Sequence, residues 1–252
     1  MPRRLLGLLI LAASLAVVAC NSTPPAPALT DPKEILVKAV ESLSTVKTAT
    51  IKGTFAGTVK AGDSGTFDLS SLKVDVAVDI PAKKTRVTID APTFMGTNID
   101  MIVADQQVYL KVVGPLTSFI GGDPTGKYTK TPAGATVPGE ASDPTKAIEE
   151  VRKGIDALPR TPEKLPDERC ADQDCYHVKI ALTGADLKTL GLGDGSTGNL
   201  TLEVWSRRND LRPAKISFSF DMAAQGTVTG TFEFTYDQGV NITAPPADQI
   251  AG

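Results

Sequence analysis

The chain has 252 residues, of which 41% are hydrophobic and 5% aromatic, and its formal net charge is −3. This length suits one large domain or two small ones, and the mildly negative charge argues against a nucleic-acid partner. The sequence contains one histidine, so histidine-based catalysis or a multi-histidine metal site is not expected.

Residues 1–19 have the pattern of a targeting signal. Arg3 and Arg4 precede an apolar run from residue 5 to residue 18, which is short for a membrane span. The run ends in a sequence typical of a bacterial lipobox, in which Cys20 becomes the new N-terminus and carries acyl chains such as palmitate. The alternative is an ordinary secretory signal followed by an incidental cysteine.

Residues 20–30 are Pro-rich and uncharged, which predicts an extended tether without packed structure. We expect a single domain over residues 31–246 and a short C-terminal tail over residues 247–252. Asp31 or Thr30 can cap a helix that leads into the domain, and Pro32 suits its first turn. The helix has an apolar stripe made of Ile35, Leu36, Ala39, Val40 and Leu43.

The first strand is predicted over Thr48–Val59, and its glycines would leave space beside the sheet. Four further segments between Lys73 and Val112 alternate apolar and polar residues with a period of two. This alternation indicates a sheet with one apolar and one wet face. Gly114–Gly139 is rich in Gly, Pro and Thr and predicts a loop.

A second helix is predicted over Asp143–Leu158, where Ile148, Val151, Ile155 and Leu158 recur at helical spacing. A polar linker over Thr161–Asp174 is expected to follow it. A short helix is predicted over Thr183–Gly191. Alternating strands are predicted over Tyr176–Leu182, Leu200–Trp205, Ile216–Phe220 and Val228–Tyr236.

The segment Gly121–Tyr128 almost matches a phosphate-binding loop. Tyr128 stands where the motif needs Ser or Thr, and the Gly-rich sequence that follows is unsuited to the required helix. A coincidental loop is the better interpretation, and no cofactor is expected.

Cys170 and Cys175 are the other cysteines of the chain. With Cys20 set aside, the two remaining cysteines of an exported protein favour a disulfide between them. The alternative is a metal site formed with Asp174 and His177, which lacks a second ligand pair at the usual spacing. His177 is predicted to lie on the wet face of its strand. No nucleophile–base pair is evident, so no enzymatic activity is expected.

Consecutive strands without intervening helices should pair antiparallel. Two helices cannot cover both faces of so large a sheet. The expected fold is therefore α+β, with one curved antiparallel sheet of about ten or eleven strands, wet on its outer face, wrapped around the helices.

In its order of elements the chain resembles the LppX/LprA/LprF/LprG family of actinobacterial cell-envelope lipoproteins, which share a fold with the LolA/LolB carriers. The matching features are the lipobox at Cys20, the helix at 31–46 before the strand at 50–59, the hairpin at 103–110, Gly126-Lys127-Tyr128, the helix at 143–158 and Leu211-Arg212-Pro213. The resemblance implies a half-barrel partly closed by helices, with a hydrophobic cavity for acyl chains and no catalytic residues.

The expected function is to bind a lipid or glycolipid and carry it toward the outer envelope. Lipidated Cys20 would hold the protein on the extracytoplasmic face of the cell membrane, and a membrane exporter would be a further partner. The alternative is a non-catalytic interaction or scaffold lipoprotein with a filled core. Alternation selects the candidate cavity residues Phe55, Val76, Val78, Val87, Ile89, Met101, Leu110, Phe218 and Phe232.

Overall fold

A computed structural model describes residues 28–60, 65–93, 96–115, 117, 122–132, 144–192 and 198–252. Cys20 and most of the predicted tether lie outside the described residues. The residues from Asp31 to Gly252 form one compact unit.

The described part of the chain contains three α-helices, namely α1 (Pro32–Ser42), α2 (Pro144–Asp156) and α3 (Gly184–Thr189). It also contains twelve strands, which are β1 (Thr48–Lys60), β2 (Thr66–Asp68), β3 (Lys73–Asp79), β4 (Lys84–Ala91), β5 (Thr97–Ala104), β6 (Gln107–Val113), β7 (Thr129–Pro132), β8 (Glu163–Cys170), β9 (Gln173–Leu182), β10 (Asn199–Arg207), β11 (Pro213–Asp221) and β12 (Thr227–Tyr236). None of the described helices is long and apolar enough to cross a membrane.

All twelve strands belong to one antiparallel sheet, which runs in the order β7-β6-β5-β4-β3-β1-β12-β11-β10-β9-β8, with β2 paired to β1. The first strand therefore lies beside the last one at the centre. Within the described residues the sheet stays open, because β7 and β8 form its two edges. The predicted α+β class with a curved antiparallel sheet is confirmed.

The sheet has more strands than the ten or eleven expected, partly because β8 lies within the predicted linker at Thr161–Asp174. This strand is an edge strand that pairs with β9 alone. Charged residues and Pro166 interrupt any apolar alternation, as is common in edge strands that must not pair further. The hairpin to β9, rather than a pattern in its own sequence, makes β8 a strand.

Helix α1 covers part of the inner face of the sheet. The Asp31 carboxylate caps it by accepting hydrogen bonds from the backbone N–H groups of Lys33 (2.7 Å) and Glu34 (3.2 Å). Its stripe of Ile35, Leu36 and Ala39 is buried, and the helix contacts β9 and β10.

Helix α2 packs against α1, and the Lys33 ammonium lies 3.1 Å from the Asp156 carboxylate. The apolar spacing predicted that Val151 would face the interior, but its side chain is 52% exposed, while Ile155 is buried. Because α2 rests on another helix, its contact surface is narrower than the stripe in its sequence.

The outer face carries a second small core, contrary to the prediction that it would be uniformly wet. Ile102, Ala104, Tyr109, Tyr128 and Ile242 are buried there together. The predicted tail contributes, because the Tyr128 N–H donates to the carbonyl of residue 249 and the N–H of residue 251 donates to Tyr128. The C-terminal segment thus covers the outer side of β5 and β6.

A polar network lies within this second core. Arg86 donates two hydrogen bonds to the Asp100 carboxylate, at 3.1 and 2.7 Å, and the Tyr128 hydroxyl donates a third at 2.7 Å. Burial, followed by the hydrogen bond to Asp100, raises the pKa of Tyr128 to about 12. Tyr128 therefore remains a donor at neutral pH and satisfies a carboxylate that is largely removed from water.

Candidate functional site

Cross-strand register brings the predicted cavity residues onto one face of the sheet. Val76 on β3 pairs with Val87 on β4, which pairs with Met101 on β5, which pairs with Leu110 on β6. Antiparallel partners point to the same side, so these four side chains form a continuous apolar row. The same register extends the row to further residues at the centre of the sheet.

Phe55, Phe218 and Phe232 come together where β1, β12 and β11 lie side by side. The Phe55 ring lies 6.1 Å from the Phe218 ring and 5.6 Å from the Phe232 ring, both edge-on, and Phe218 and Phe232 stack at 6.3 Å. These separations are typical of favourable aromatic pairs. The nine predicted residues are all half-buried, so the structure places them on one partly accessible wall.

Two glycines that were predicted to leave empty space are instead covered by aromatic rings. A Cβ on Gly53 would lie 2.8 Å from the Phe232 ring, and a Cβ on Gly230 would clash with the Phe218 ring. Gly57 and Gly226 have φ angles of 107° and 114°, and each approaches a backbone carbonyl. The glycine positions therefore serve ring packing and backbone geometry and do not leave empty space beside the sheet.

The helices cover only part of the inner face. Val178, Ile180 and Leu182 on β9 are buried in the region where α1 packs. By contrast, the candidate residues on β1, β3 to β6, β11 and β12 remain half-buried. The apolar surface of the sheet is therefore wider than the helices that rest on it.

Sequence reasoning missed several members of the same wall. Ile51 pairs with both Val76 and Phe234, and Val74 pairs with both Gly53 and Ile89, so their side chains share the inner face. Their own alternation was visible in the sequence, and the missing signal was the register between strands. None of the inward-facing residues described on β1, β3, β4, β5 and β6 is charged.

A disulfide joins Cys170 and Cys175 across the β8–β9 hairpin. The alternative metal site would need these sulfurs as thiolates, which the disulfide removes. Among the residues that the structure describes, no three or more His, Cys, Asp or Glu side chains are grouped to hold a metal ion.

His177 lies on the outer face but is 5% exposed, so the prediction that it faces solvent is wrong. Its ring stacks on Trp205 with 4.2 Å between centroids, and its Nε2 atom lies 3.1 Å from the Glu203 carboxylate. Glu168 on β8 accepts a hydrogen bond from Trp205, which lowers the pKa of Glu168. Trp205 and Glu203 on β10 and Glu168 on the unpredicted strand β8 thus surround the His177 ring.

No family model and no curated protein matches the chain. Solved structures do match it. The chain is similar to lipoprotein LppX from Mycobacterium tuberculosis, with 11% identity, a TM-score of 0.50 and coverage of 88% of this chain and 100% of LppX.

The match to LprF from Mycobacterium bovis has 14% identity, a TM-score of 0.47 and coverage of 85% and 96% of the two chains. A LolA superfamily protein from Nitrosomonas europaea matches with 11% identity and a TM-score of 0.27, covering 87% and 97%. The expected fold is confirmed by the first of these matches: this chain has the fold of the mycobacterial lipoprotein LppX.

Proposed function

We propose that this protein is a non-catalytic lipoprotein that binds the acyl chains of a lipid or glycolipid against the inner face of its sheet. One observation carries the proposal: the face around Phe55, Val87 and Phe218 is apolar, free of charge over five neighbouring strands, and half-buried. A contiguous apolar surface of this kind typically receives a partner.

The energetics suit an alkyl ligand. Each buried CH₂ group contributes about 0.8 kcal/mol, so a lipid with long chains crosses water at a negligible rate without an apolar shelter. The half-buried aromatic group of Phe55, Phe218 and Phe232 would gain further contact area when a chain lies across it. An uncharged wall also avoids the cost of desolvating an ion.

We further propose that Cys20 is lipidated and holds the protein on the extracytoplasmic face of the cell membrane. The support is the lipobox in the sequence, the start of the compact unit at Asp31, and a disulfide between Cys170 and Cys175, which suits an oxidising compartment. LppX, whose fold this chain has, is itself a lipoprotein. In this position the protein would receive lipid from the membrane, with an exporter as a partner, and carry it toward the outer envelope.

Uptake of a fluorescent fatty-acid analogue tests the binding role. The compact unit Asp31–Gly252, produced without Cys20 and prepared without detergent, should take up the probe with a blue-shifted emission that saturates at a fixed stoichiometry. Failure to take up this probe and a second one with two acyl chains would favour the alternative of a scaffold lipoprotein with a filled core.

The anchor is tested separately. Replacing Cys20 by Ser, behind an ordinary cleavable secretory signal in place of residues 1–19, should release the protein from the membrane fraction of producing cells, because no acyl chain can be attached. Retention of the Cys20→Ser protein in the washed membrane fraction would contradict the proposed anchor and leave the binding role untouched.

A further inference from the structure

The inner face of strands β1, β3, β4, β5 and β6 carries two parallel ridges of apolar side chains that run across the strands. The first ridge contains one residue from each strand, namely Ile51, Val76, Val87, Met101 and Leu110. The second ridge lies two positions away along β3 to β6 and contains Val74, Ile89, Ile99 and Val112. All of these residues are half-buried except Val112, which is buried.

The spacing of the side chains gives this surface a direction. Residues opposite each other on neighbouring strands have Cβ atoms about 5 Å apart, whereas residues two positions apart on one strand are separated by about 6.7 Å. Side chains therefore contact each other within a ridge, and a groove remains between the two ridges. A carbon chain in this groove can contact both ridges at about 4 Å, the optimum separation of carbon atoms. An alkyl chain on this wall accordingly lies across the strands.

Aromatic rings close the groove where β1 meets β12. The second ridge leads to Gly53, because Gly53 lies opposite Val74, and a Cβ on Gly53 would lie 2.8 Å from the Phe232 ring. The first ridge ends at Ile51, which lies opposite Phe234 on β12. Since a large side chain stands at the end of each ridge, a chain in the groove stops at β1.

The other end of the groove leads to the edge of the sheet. Thr129 on β7 lies opposite Leu110, and its hydroxyl donates to the Leu110 carbonyl at 3.1 Å. The first ridge therefore continues into a polar side chain at this end. Within the described residues β7 is an edge strand, so a polar head group beyond Thr129 does not have to be buried in the apolar wall.

The number of strands sets the length of the chain that fits. From β1 to β6 the groove crosses β3, β4 and β5, and strand spacings of about 4.8 Å give it a length of about 19 Å. An extended alkyl chain with C–C bonds of about 1.5 Å advances about 1.3 Å per bond. The groove therefore accommodates about sixteen carbons.

We propose that this groove holds one extended alkyl chain of about sixteen carbons, with its methyl end at Ile51 and Phe232 and its polar head beyond Thr129. The inference rests on the proposed function and adds the direction, the polarity and the length of the chain. Chain length is then selected at β1. Affinity should rise about 4-fold with each added CH₂ group until the groove is full and then level off.

Photoactivatable fatty acids test the direction of the chain without any substitution. The compact unit Asp31–Gly252, produced without Cys20 and prepared without detergent, is loaded with hexadecanoic acid that carries a diazirine either near the carboxyl group or near the methyl end. After irradiation, tandem mass spectrometry of proteolytic peptides locates the label. We expect the diazirine near the carboxyl group to label β5 and β6, and the diazirine near the methyl end to label β1 and β3.

The failure of this inference and the failure of the acyl-binding proposal give different results. Saturable uptake in which both probes label the same strands, or in which the order of strands is reversed, overturns the groove and leaves the binding role intact. Saturable uptake with label confined to segments outside β1 and β3 to β6 does the same. If neither probe is taken up, both proposals are overturned.

Ile51→Trp tests the proposed stop at β1. The larger ring fills the methyl end of the groove, so binding of hexadecanoate should weaken at least 10-fold, the contribution of about two CH₂ groups. Dodecanoate spans about 14 Å and ends short of β1, so its affinity should stay within about 2-fold of that of the native chain. Thr50→Trp is the control, because it places the same ring on the opposite face of the same strand, and it should change neither affinity.

The two fatty acids are compared by calorimetry on the native chain and on both variants. Weakening of hexadecanoate alone by Ile51→Trp supports the methyl end at β1. Equal weakening of both fatty acids, or no weakening of either, overturns the proposed polarity of the chain.

Discussion

Glycine and phenylalanine act as complementary pairs on the inner face. The Phe218 ring lies over Gly230 and the Phe232 ring lies over Gly53, on neighbouring strands. A ring that covers a glycine shields backbone from water and fixes the register of the two strands. The wall is therefore smooth and aromatic at its centre, as the proposed contact with alkyl chains requires.

Gly57 tests the importance of backbone geometry at this face. Its φ of 107° and the nearby Thr227 carbonyl oxygen leave no room for a Cβ. Gly57→Ala should therefore lower the free energy of unfolding by about 1–3 kcal/mol, as measured by urea denaturation. Gly239→Ala is the control, because its Cβ would meet nothing within 4 Å; equal stabilities for the two variants would refute the proposed strain.

Val87 tests the proposed role of the wall. Val87→Trp would fill space on the inner face and should reduce uptake of a fluorescent fatty acid at least 10-fold, while the far-ultraviolet circular dichroism stays native. Thr88→Trp places the same ring on the opposite face of the same strand, since side chains alternate along β4. Uptake reduced equally by both substitutions would show that the effect is not specific to the inner face.

At the scale of elements, the junction between α1 and β1 is fixed by a residue from the far end of the chain. The Asp237 carboxylate accepts hydrogen bonds from the backbone N–H of Lys47 (2.8 Å) and from the Arg212 guanidinium (2.5 Å). Arg212 also donates to the Thr45 hydroxyl at 3.2 Å. The start of β1, the end of β12 and the turn before β11 are thereby held together.

This junction predicts an acid-sensitive contribution to stability. The hydrogen bond from Lys47, and then the one from Arg212, lower the pKa of Asp237 below its ordinary value of 3.8. Its stabilising effect is therefore fully present above pH 4 and disappears as the pH falls through the lowered pKa. Asp237→Asn should destabilise the protein at pH 6 and have less effect at pH 2.5, as measured by urea unfolding at the two pH values. The same loss at both would contradict this linkage.

The β8–β9 hairpin depends on its disulfide more than on its sequence. Cys170 and Cys175 are separated by five positions, and closing so small a loop contributes about 2 kcal/mol on the chain-entropy model. The Cys170→Ser/Cys175→Ser variant should be destabilised by about that amount, with faster amide hydrogen exchange in β8 than in β10. Unchanged exchange in β8 would show that pairing with β9 suffices to hold the strand.

At the scale of the whole molecule, local patterns predicted the strands whose partners lie next to them in sequence. Val74, Val76 and Val78 alternate with polar residues, and the structure places them on the inner face of β3 as expected. Capping by Asp31 was equally visible, because a helix start is a local arrangement.

Which segment of the chain covers a residue on the outer face of the sheet could not be predicted in the same way. The outer face of the sheet was expected to be wet, but Ile102 on that face is buried together with Ile242 of the C-terminal segment. His177 was expected on the wet face because Tyr176 and Val178 flank it, and the strand β8 beside it lies in a segment without apolar alternation, which predicts a linker. The sequence around Ile102 does not show that the distant C-terminal segment covers it. The sequence around His177 likewise does not show that β8, which its hairpin with β9 makes a strand, lies beside it.

Native mass spectrometry of the compact unit Asp31–Gly252, exported without Cys20, purified without detergent and gently desolvated, tests the proposed function most directly. We predict a bound species with the mass of an acyl lipid in the native chain and in Thr88→Trp, and its loss in Val87→Trp. A native chain that carries no lipid in repeated preparations, and that stays empty after incubation with vesicles, would contradict the proposal that the inner face of the sheet shelters acyl chains.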